Sequence, residues 1–232
     1  MTTTRTDAAT TLSDPITDAG IDRAPYVVDL ARVRAGDLAQ GGGKAANLGE
    51  LLRWGFPVPP GFVITTAAYD RVVESNSLQD EIAGFSQPEG AAKVRAGFES
   101  ATIPPEVERD LLDAYRSLGG GAVAVRSSAT AEDLPEAAFA GQQETFLGIL
   151  NEQELLKAIR RCWASLWSDR AIAYRQRHGL ADTPVKLAVI VQRLVSADAA
   201  GVLFTANPIT GARDETIVDA STGLGEAVVG GL

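Results

Sequence analysis

The feature that most restricts the possible folds is the alternation of short apolar runs with longer stretches of helical periodicity. Residues 62–66, 122–126 and 187–192 form runs rich in β-branched side chains that are too short for stable helices, so we predict strands there. Between these runs, apolar residues recur every three or four positions, a spacing typical of amphipathic helices. Strands that alternate with helices predict a mixed α/β or α+β fold class.

Capping residues mark the ends of one predicted helix, which Pro104 and Pro105 open and the glycine run at 119–121 closes. The other predicted helices are 44–54, 67–74, 91–98, 152–167 and 169–178, and the other predicted strands are 144–150, 201–205 and 216–219.

The charge balance argues against broad binding of nucleic acids or of anionic membranes. Lys and Arg number 21 against 30 Asp and Glu, which gives a net charge of -9 and a pI near 4.7, whereas such binders normally present a basic face. Cys162 is the one cysteine, so an internal disulfide and a cysteine metal cluster are excluded, and a reducing cytoplasm fits best. Residues 1–25 are rich in Thr, Ala and Asp and are predicted to be a disordered leader.

The one histidine, His178, lies in a charged stretch that ends in glycine, a pattern typical of a helix C-terminus. The helix dipole favours a positive charge at that position. A site with two histidines is impossible, and we expect His178 to face solvent and not to be phosphorylated.

A run of three glycines precedes Lys44 and the helix predicted after it. Glycines let the backbone approach a ligand, and the N-terminus of a helix attracts anions, to which Lys44 adds a full positive charge. The run is not a P-loop, because Leu38 stands at the position of the first glycine and Ala45 at that of the magnesium-binding hydroxyl. A phosphate contact and a plain helix-entry turn both fit this segment.

A second concentration of donors begins at Arg126, where the strand predicted at 122–126 ends. The guanidinium presents a rigid fork of donors that suits a phosphate. A long loop is predicted from residue 127 to 141, and it adds three short hydroxyl donors: Ser127, Ser128 and Thr130. Alternatively, Arg126 pairs with Glu132 or Asp133 and ties the loop down.

Two weaker signals follow along the chain. Gly141 allows a close approach of the backbone, and Thr145 leads into the next predicted strand. Gln192 ends an apolar strand, where its amide either faces the edge of an adenine or caps the strand.

Five motifs follow one another in an order that is specific to one enzyme family. They are Gly-Gly-Lys-x-x-Asn-Leu-Gly, Val-Pro-x-Gly-Phe, Val-Arg-Ser-Ser-Ala-Thr-Ala-Glu-Asp, Phe-Ala-Gly-Gln-Gln-Glu-Thr-Phe-Leu and Ala-Ser-Leu-x-x-x-Arg-Ala. From Val27 onward the chain resembles the N-terminal nucleotide-binding (PEP/pyruvate-binding) domain of the phosphoenolpyruvate-utilising enzymes. Members of that family include phosphoenolpyruvate synthase (pyruvate, water dikinase), pyruvate phosphate dikinase and rifampicin phosphotransferase.

The resemblance implies an ATP-grasp fold over residues 26–232, with ATP held between two α+β lobes. By matched position, Lys44 and Arg126 bind the ATP phosphates, Gly141 and Thr145 line the phosphate loop, and Gln192 with the backbone after it faces the adenine. The resemblance also implies that Mg²⁺ assists and that the β-phosphoryl of ATP passes to a histidine on a separate swivelling domain. From there the group reaches pyruvate or an antibiotic.

The phosphohistidine segment and the magnesium-binding acidic residue of the family have no counterpart in these 232 residues. The resemblance therefore implies a C-terminally incomplete domain with no catalytic residue, whose metal ligands are expected beyond Leu232. Three interpretations remain. The chain is the ATP-binding part of a phosphotransferase whose swivelling and acceptor domains act in trans or are missing, a free-standing nucleotide-binding or regulatory module, or an inactive fragment. We expect these residues alone to bind ATP weakly and not to turn it over.

Overall fold

The computed structural model describes residues 25–85, 88–130, 144–177, 185–225 and 228. The described helices are α1 Leu38–Arg53, α2 Thr66–Ser75, α3 Gln79–Ala83, α4 Pro88–Ser100, α5 Pro105–Ser117, α6 Glu152–Ser165 and α7 Asp169–Arg177. The described strands are β1 Val27–Asp29, β2 Gly61–Ile64, β3 Val123–Ala129, β4 Thr145–Ile149, β5 Leu187–Arg193, β6 Ala199–Phe204 and β7 Ile217–Thr222.

Five of these strands form one sheet in the order β1-β2-β5-β3-β4, and every neighbouring pair is antiparallel. The strands β3 and β5 pair along their full lengths, from Val123 opposite Arg193 to Ala129 opposite Leu187. Both strands are buried on their two faces, which is why their sequences are nearly continuous apolar runs without alternation. The predicted mixed α/β fold class is confirmed.

The two faces of this sheet are covered unequally. On one, the helical face, side chains of β2, β3 and β5 pack against α2, α4, α5 and α6 in a large apolar core that includes Phe98, Leu111 and Trp163. The other, the α1 face, packs against α1 in a small cluster. Its buried members are Val28, Leu30, Val33, Ala45, Val63, Ala188 and Ile190. Alternate residues of each strand therefore serve different cores.

Local signals account for several helix ends. The helix α6 begins after Asn151, whose side chain accepts a hydrogen bond from the backbone N–H of Glu154 at 2.9 Å. The side chain of Glu154 in turn accepts one from the N–H of Leu150 at 3.0 Å. Pro105 is the first residue of α5, where its missing N–H costs no hydrogen bond.

The structure differs from the sequence prediction at two places that matter for function. First, β3 does not end at Arg126 but continues through Ser127 and Ser128 to Ala129, because all three residues pair with β5. Second, helical geometry begins at Leu38, before the glycine run, and is broken at Gly42, so the predicted turn lies between two helical segments of α1. The short edge strand β1 was not predicted.

The strands β6 and β7 form a separate two-stranded ribbon. Most of its side chains are exposed, including the cross-strand pair Leu203 and Val218. Within the described ranges, no helix is long and apolar enough to cross a lipid bilayer. Residues 1–24 of the predicted leader lie outside the described residues.

Candidate functional site

Arg126 lies on β3 with its side chain toward the α1 face of the sheet. Its register partners are Thr145 on β4 and Ile190 on β5, and Ile190 belongs to the small core beneath α1. Because register partners share a face, Arg126 and Thr145 are side by side. Arg126 is half-buried and Thr145 is exposed, so both side chains keep some access to solvent. The alternative partners of Arg126, Glu132 and Asp133, lie outside the described residues.

The helix α1 is interrupted at Gly42, whose φ of 73° and ψ of 169° are not helical. A Cβ at this position would lie 2.5 Å from both the carbonyl oxygen and the hydroxyl oxygen of Ser128. Glycine is therefore required for two reasons, its left-handed backbone and the close approach to β3. The helix resumes at Gly43, and it starts against the strand that carries Arg126.

Lys44 is the second residue after the interruption, and hydrogen bonds link this part of α1 to β3. The Lys44 Nζ donates to the carbonyl oxygen of Ser127 at 3.3 Å. The backbone N–H of Ala45 donates to Ser128 Oγ at 3.3 Å. The structure thus places Lys44 against the strand that carries Arg126, and Arg126 beside Thr145. That these residues bind phosphate stays a prediction. Two cations and a hydroxyl in one place have the chemistry of a phosphate site.

Gln192 lies on β5, also on the α1 face, opposite Ala124 of β3 and Gly61 of β2. It is buried, and its Nε2 donates to the carbonyl oxygen of Pro59 at 3.0 Å. A Cβ at Gly61 would lie 2.8 Å from its Cγ, so Gln192 fills the space that this glycine leaves. Of the two roles that the sequence left open for Gln192, the structure shows a contact within the protein, the hydrogen bond to Pro59. A contact with adenine stays a prediction.

The three hydroxyls expected to contact phosphate are bonded to the protein backbone instead. Ser127 Oγ donates to the Glu144 carbonyl and Thr130 Oγ1 to the Lys186 carbonyl, each at 3.3 Å, and Ser128 Oγ accepts from Ala45. Ser127 and Ser128 are at most 1% exposed, because the strand continues through them. The expectation of hydroxyl donors on an open loop is therefore wrong for these two serines.

Two further predicted residues, Gly141 and His178, lie outside the described residues. Sequence reasoning did not anticipate that the guanidinium of Arg161 on α6 lies 4.3 Å from the ring centre of Phe146 on β4, a contact on the helical face. Sequence reasoning also missed the link between Ser128 and the glycine run, for which no local pattern exists.

Cys162 lies beneath the sheet in the helical core. Burial raises the pKa of its thiol, and so does the charge of Glu144, against which the positive charges of Arg161 and Lys44 lower it. The thiol therefore stays protonated, which fits a packing role and not nucleophilic chemistry. Within the described part of the chain, no three His, Cys, Asp or Glu side chains are grouped so that they could hold a metal ion.

Comparison with known proteins adds to this geometry. Residues 39–232 match the family model described as pyruvate phosphate dikinase, AMP/ATP-binding domain. The chain is 42% identical over 224 residues to a probable phosphoenolpyruvate synthase of Staphylothermus marinus, which covers 89% of this chain and 27% of that protein. It is 44% identical over 211 residues to the phosphoenolpyruvate synthase of Aeropyrum pernix, with coverages of 82% and 25%.

A second kind of relative is equally similar. The chain is 46% identical over 218 residues to a rifampicin phosphotransferase of a Streptomyces species, with coverages of 89% of this chain and 25% of that protein. The chain thus spans about a quarter of the length of the curated relatives that it matches.

Proposed function

The chain belongs to the family of the pyruvate phosphate dikinase AMP/ATP-binding domain, and from this premise we propose that its α1 face holds ATP as the phosphoryl donor of a phosphotransferase. The observation that carries the proposal is the meeting of Lys44 with Arg126. The two residues come from different elements, and the Lys44 Nζ is bonded to the residue next to Arg126. In a chain of net charge -9, two half-buried cations on one face of the sheet favour an anionic ligand.

In this proposal Lys44 and Arg126 neutralise the phosphates of ATP, and Thr145 and Gly141 line the phosphate loop. Arg126 suits a planar or tetrahedral oxyanion because its fork donates two parallel hydrogen bonds, whereas Lys44 acts as a point charge. Gln192 and the backbone that follows it face the adenine. Gln192 lies on β5 two residues after Ile190, which is the register partner of Arg126. The nucleotide then extends along the α1 face, in an ATP-grasp arrangement.

The donor set fits a nucleotide phosphate, since it consists of two cations, Lys44 and Arg126, and the hydroxyl of Thr145. ATP supplies the phosphoryl group that is transferred. Mg²⁺ is usually held by one or two carboxylates together with substrate phosphates, so it does not need a preformed cage of protein ligands. We propose that Mg²⁺ arrives with the nucleotide and that Lys44 and Arg126 orient the phosphates against it. Catalysis of this kind is mostly positioning and charge neutralisation.

The proposal for the acceptor side rests on the family resemblance and is supported by the names of the relatives. We propose that the β-phosphoryl group passes to a histidine outside these residues and then to pyruvate or to an antibiotic. The comparable identity with phosphoenolpyruvate synthases and with a rifampicin phosphotransferase supports a shared donor half that is combined with different acceptor domains.

The test is Arg126→Ala in the full-length protein. We expect the affinity for Mg-ATP, measured by calorimetry, to fall at least tenfold, because a charge-assisted hydrogen bond contributes about 1.5–3 kcal/mol and tenfold corresponds to about 1.4 kcal/mol. Release of AMP should fall with it, in assays that offer pyruvate in one arm and rifampicin in the other.

Arg109→Ala is the matched control, because it removes the same charge from an exposed position on α5 where Arg109 pairs with Asp110. It should leave the affinity for Mg-ATP unchanged. Unchanged nucleotide affinity and kinetics in Arg126→Ala would overturn the assignment of the site. If acid-labile labelled phosphate were found on His178 after incubation with labelled ATP, the assignment of the acceptor histidine to another domain would be overturned.

A further inference from the structure

The segment of α1 that carries Lys44 is held in place by a residue that touches no proposed ligand. Ser128 is fully buried on β3, two residues beyond Arg126 and therefore on the same face of the sheet. Along a strand this separation is about 7 Å. Ser128 is close enough to Arg126 to fix the geometry of the site, yet it lies beneath α1 and away from solvent.

The Ser128 hydroxyl does for the second part of α1 what a capping residue does for an ordinary helix. The first N–H groups of a helix have no partner within it, and here the chain leaves helical geometry at Gly42 and re-enters it at Gly43. The N–H of Ala45 is one of these groups, and Ser128 Oγ accepts its hydrogen bond at 3.3 Å. The cap comes from a strand 83 positions away in the sequence, so it joins two parts of the fold.

The backbone of Gly42 touches the same serine. A Cβ there would lie 2.5 Å from both the carbonyl oxygen and the hydroxyl oxygen of Ser128, so this part of α1 cannot lie closer to the strand. On the side of the ligand, the Lys44 Nζ is bonded to the carbonyl of Ser127. Residues 42, 44 and 45 are thus all in contact with two consecutive residues of β3.

We propose that Ser128 is a positioning residue for nucleotide binding: by accepting the N–H of Ala45 against the Gly42 bend, it sets the place of Lys44 relative to Arg126. The inference rests on the proposed function, because Ser128 can affect nucleotide affinity in this way only if Lys44 binds the nucleotide. The hydroxyl acts through Lys44 and makes no contact with the nucleotide. Its removal leaves the buried N–H of Ala45 without a partner, and we expect this part of α1 to move away from β3.

A double-mutant cycle in the full-length protein separates positioning from general stability. Four proteins are compared: wild type, Ser128→Ala, Lys44→Met and the double variant. We expect Ser128→Ala to weaken Mg-ATP binding about fivefold in the wild-type background and less than twofold in the Lys44→Met background. The melting temperature should fall by the same amount in both backgrounds. An equal loss of affinity in the two backgrounds, or no loss in either, would overturn the inference.

Ser165→Ala is the matched control, because it deletes a half-buried hydroxyl that donates to the Cys162 carbonyl at 2.7 Å on α6, on the other face of the sheet. It should lower the melting temperature without changing nucleotide affinity. Hydrogen exchange gives a readout that does not depend on the nucleotide: the amide of Ala45 should exchange faster in Ser128→Ala and not in Ser165→Ala. Unchanged exchange at Ala45 would contradict the cap.

Gly42→Ala reaches the same contact from the other side and keeps the inference testable if Ser128→Ala does not fold. It should weaken nucleotide binding in the wild-type background and have little effect in the Lys44→Met background. If neither Lys44→Met nor Arg126→Ala changes the affinity, the proposed function fails. If those two variants do weaken binding but the effects of Ser128→Ala and Gly42→Ala do not depend on Lys44, only the positioning role fails.

Discussion

Both sides of the five-stranded sheet hold cations, but they hold them in opposite ways. In the helical layer Arg175 is 2% exposed, and its guanidinium lies 4.9 Å from the ring centre of Trp167 and 5.2 Å from that of Phe85. Burial lowers the pKa of Arg175, because apolar surroundings disfavour its charge. On the α1 face, Lys44 and Arg126 are half-buried, and the Lys44 Nζ donates to the carbonyl oxygen of Ser127.

This difference separates stability from binding. The cation of the helical layer is enclosed by aromatic rings and contributes to packing, where a cation–π contact stabilises by about 2 kcal/mol when it is desolvated. The cations of the α1 face keep access to solvent, so a ligand can reach them. The apolar core is large on the first side and small on the second. We therefore expect substitutions on the helical face to change the free energy of unfolding, and substitutions on the α1 face to change nucleotide affinity.

The largest effect on stability is expected for Trp163→Ala. Trp163 is fully buried on α6 and makes an edge-on contact with Tyr69, with 6.5 Å between ring centres. Its indole nitrogen has no hydrogen-bond partner in the described structure, so the substitution removes packing alone. The free energy of unfolding should fall by about 3–5 kcal/mol, as measured by urea denaturation. A loss below about 1 kcal/mol would show that the helical core is not the main source of stability.

A sharper comparison uses two neighbours on one strand. Val125 is fully buried on the helical face, whereas the next residue, Arg126, points toward the α1 face. Val125→Ala should lower the free energy of unfolding by about 2 kcal/mol, since two buried methyl groups are lost, and should leave the affinity for Mg-ATP unchanged. Arg126→Ala should weaken the affinity for Mg-ATP and leave the free energy of unfolding nearly unchanged. If Val125→Ala weakens nucleotide binding as strongly as Arg126→Ala does, the two faces are not independent.

The smallest effect is a loss of stability at alkaline pH that comes from the helical face. Burial raises the pKa of Cys162 above its value in the unfolded chain, which is about 8.5. The unfolded state therefore loses this proton first. The contribution of Cys162 to stability is complete below pH 8.5 and is lost as the pH rises above it.

Between pH 8 and pH 9.5 the loss of stability that Cys162 causes should be about 1 kcal/mol. Urea denaturation of the wild type and of Cys162→Ala at both pH values measures it, because all other titrating groups cancel in the difference. The wild type should lose more stability than the variant over this range. An equal loss in both proteins would mean that the thiol is not shielded in the folded state.

Local sequence was a good guide to the elements of the fold. The runs around Val189 and Val125 are strands because β-branched residues fill them, and α5 starts at Pro105 as its cap predicts. It was a poor guide to where β3 ends. Ser127 and Ser128 have low strand propensity, but pairing with β5 and bonds to backbone groups keep them in the sheet. Propensity is a weak prior when tertiary contacts supply the missing partners.

The candidate site divides in the same way. The sequence by itself determined which residues carry charge and donors, since the chemistry of Lys44 and Arg126 is fixed by residue type, and motif order determined the family. Only the tertiary structure decided that the Lys44 ammonium contacts Ser127, the neighbour of Arg126, which lies 83 positions away in the sequence. The same holds for the side-chain amide of Gln192, which donates to the carbonyl of Pro59, 133 positions away. The physical reason is that contacts across a sheet depend on strand register, and register is set by the packing of the whole fold and not by the residues on either side of a motif.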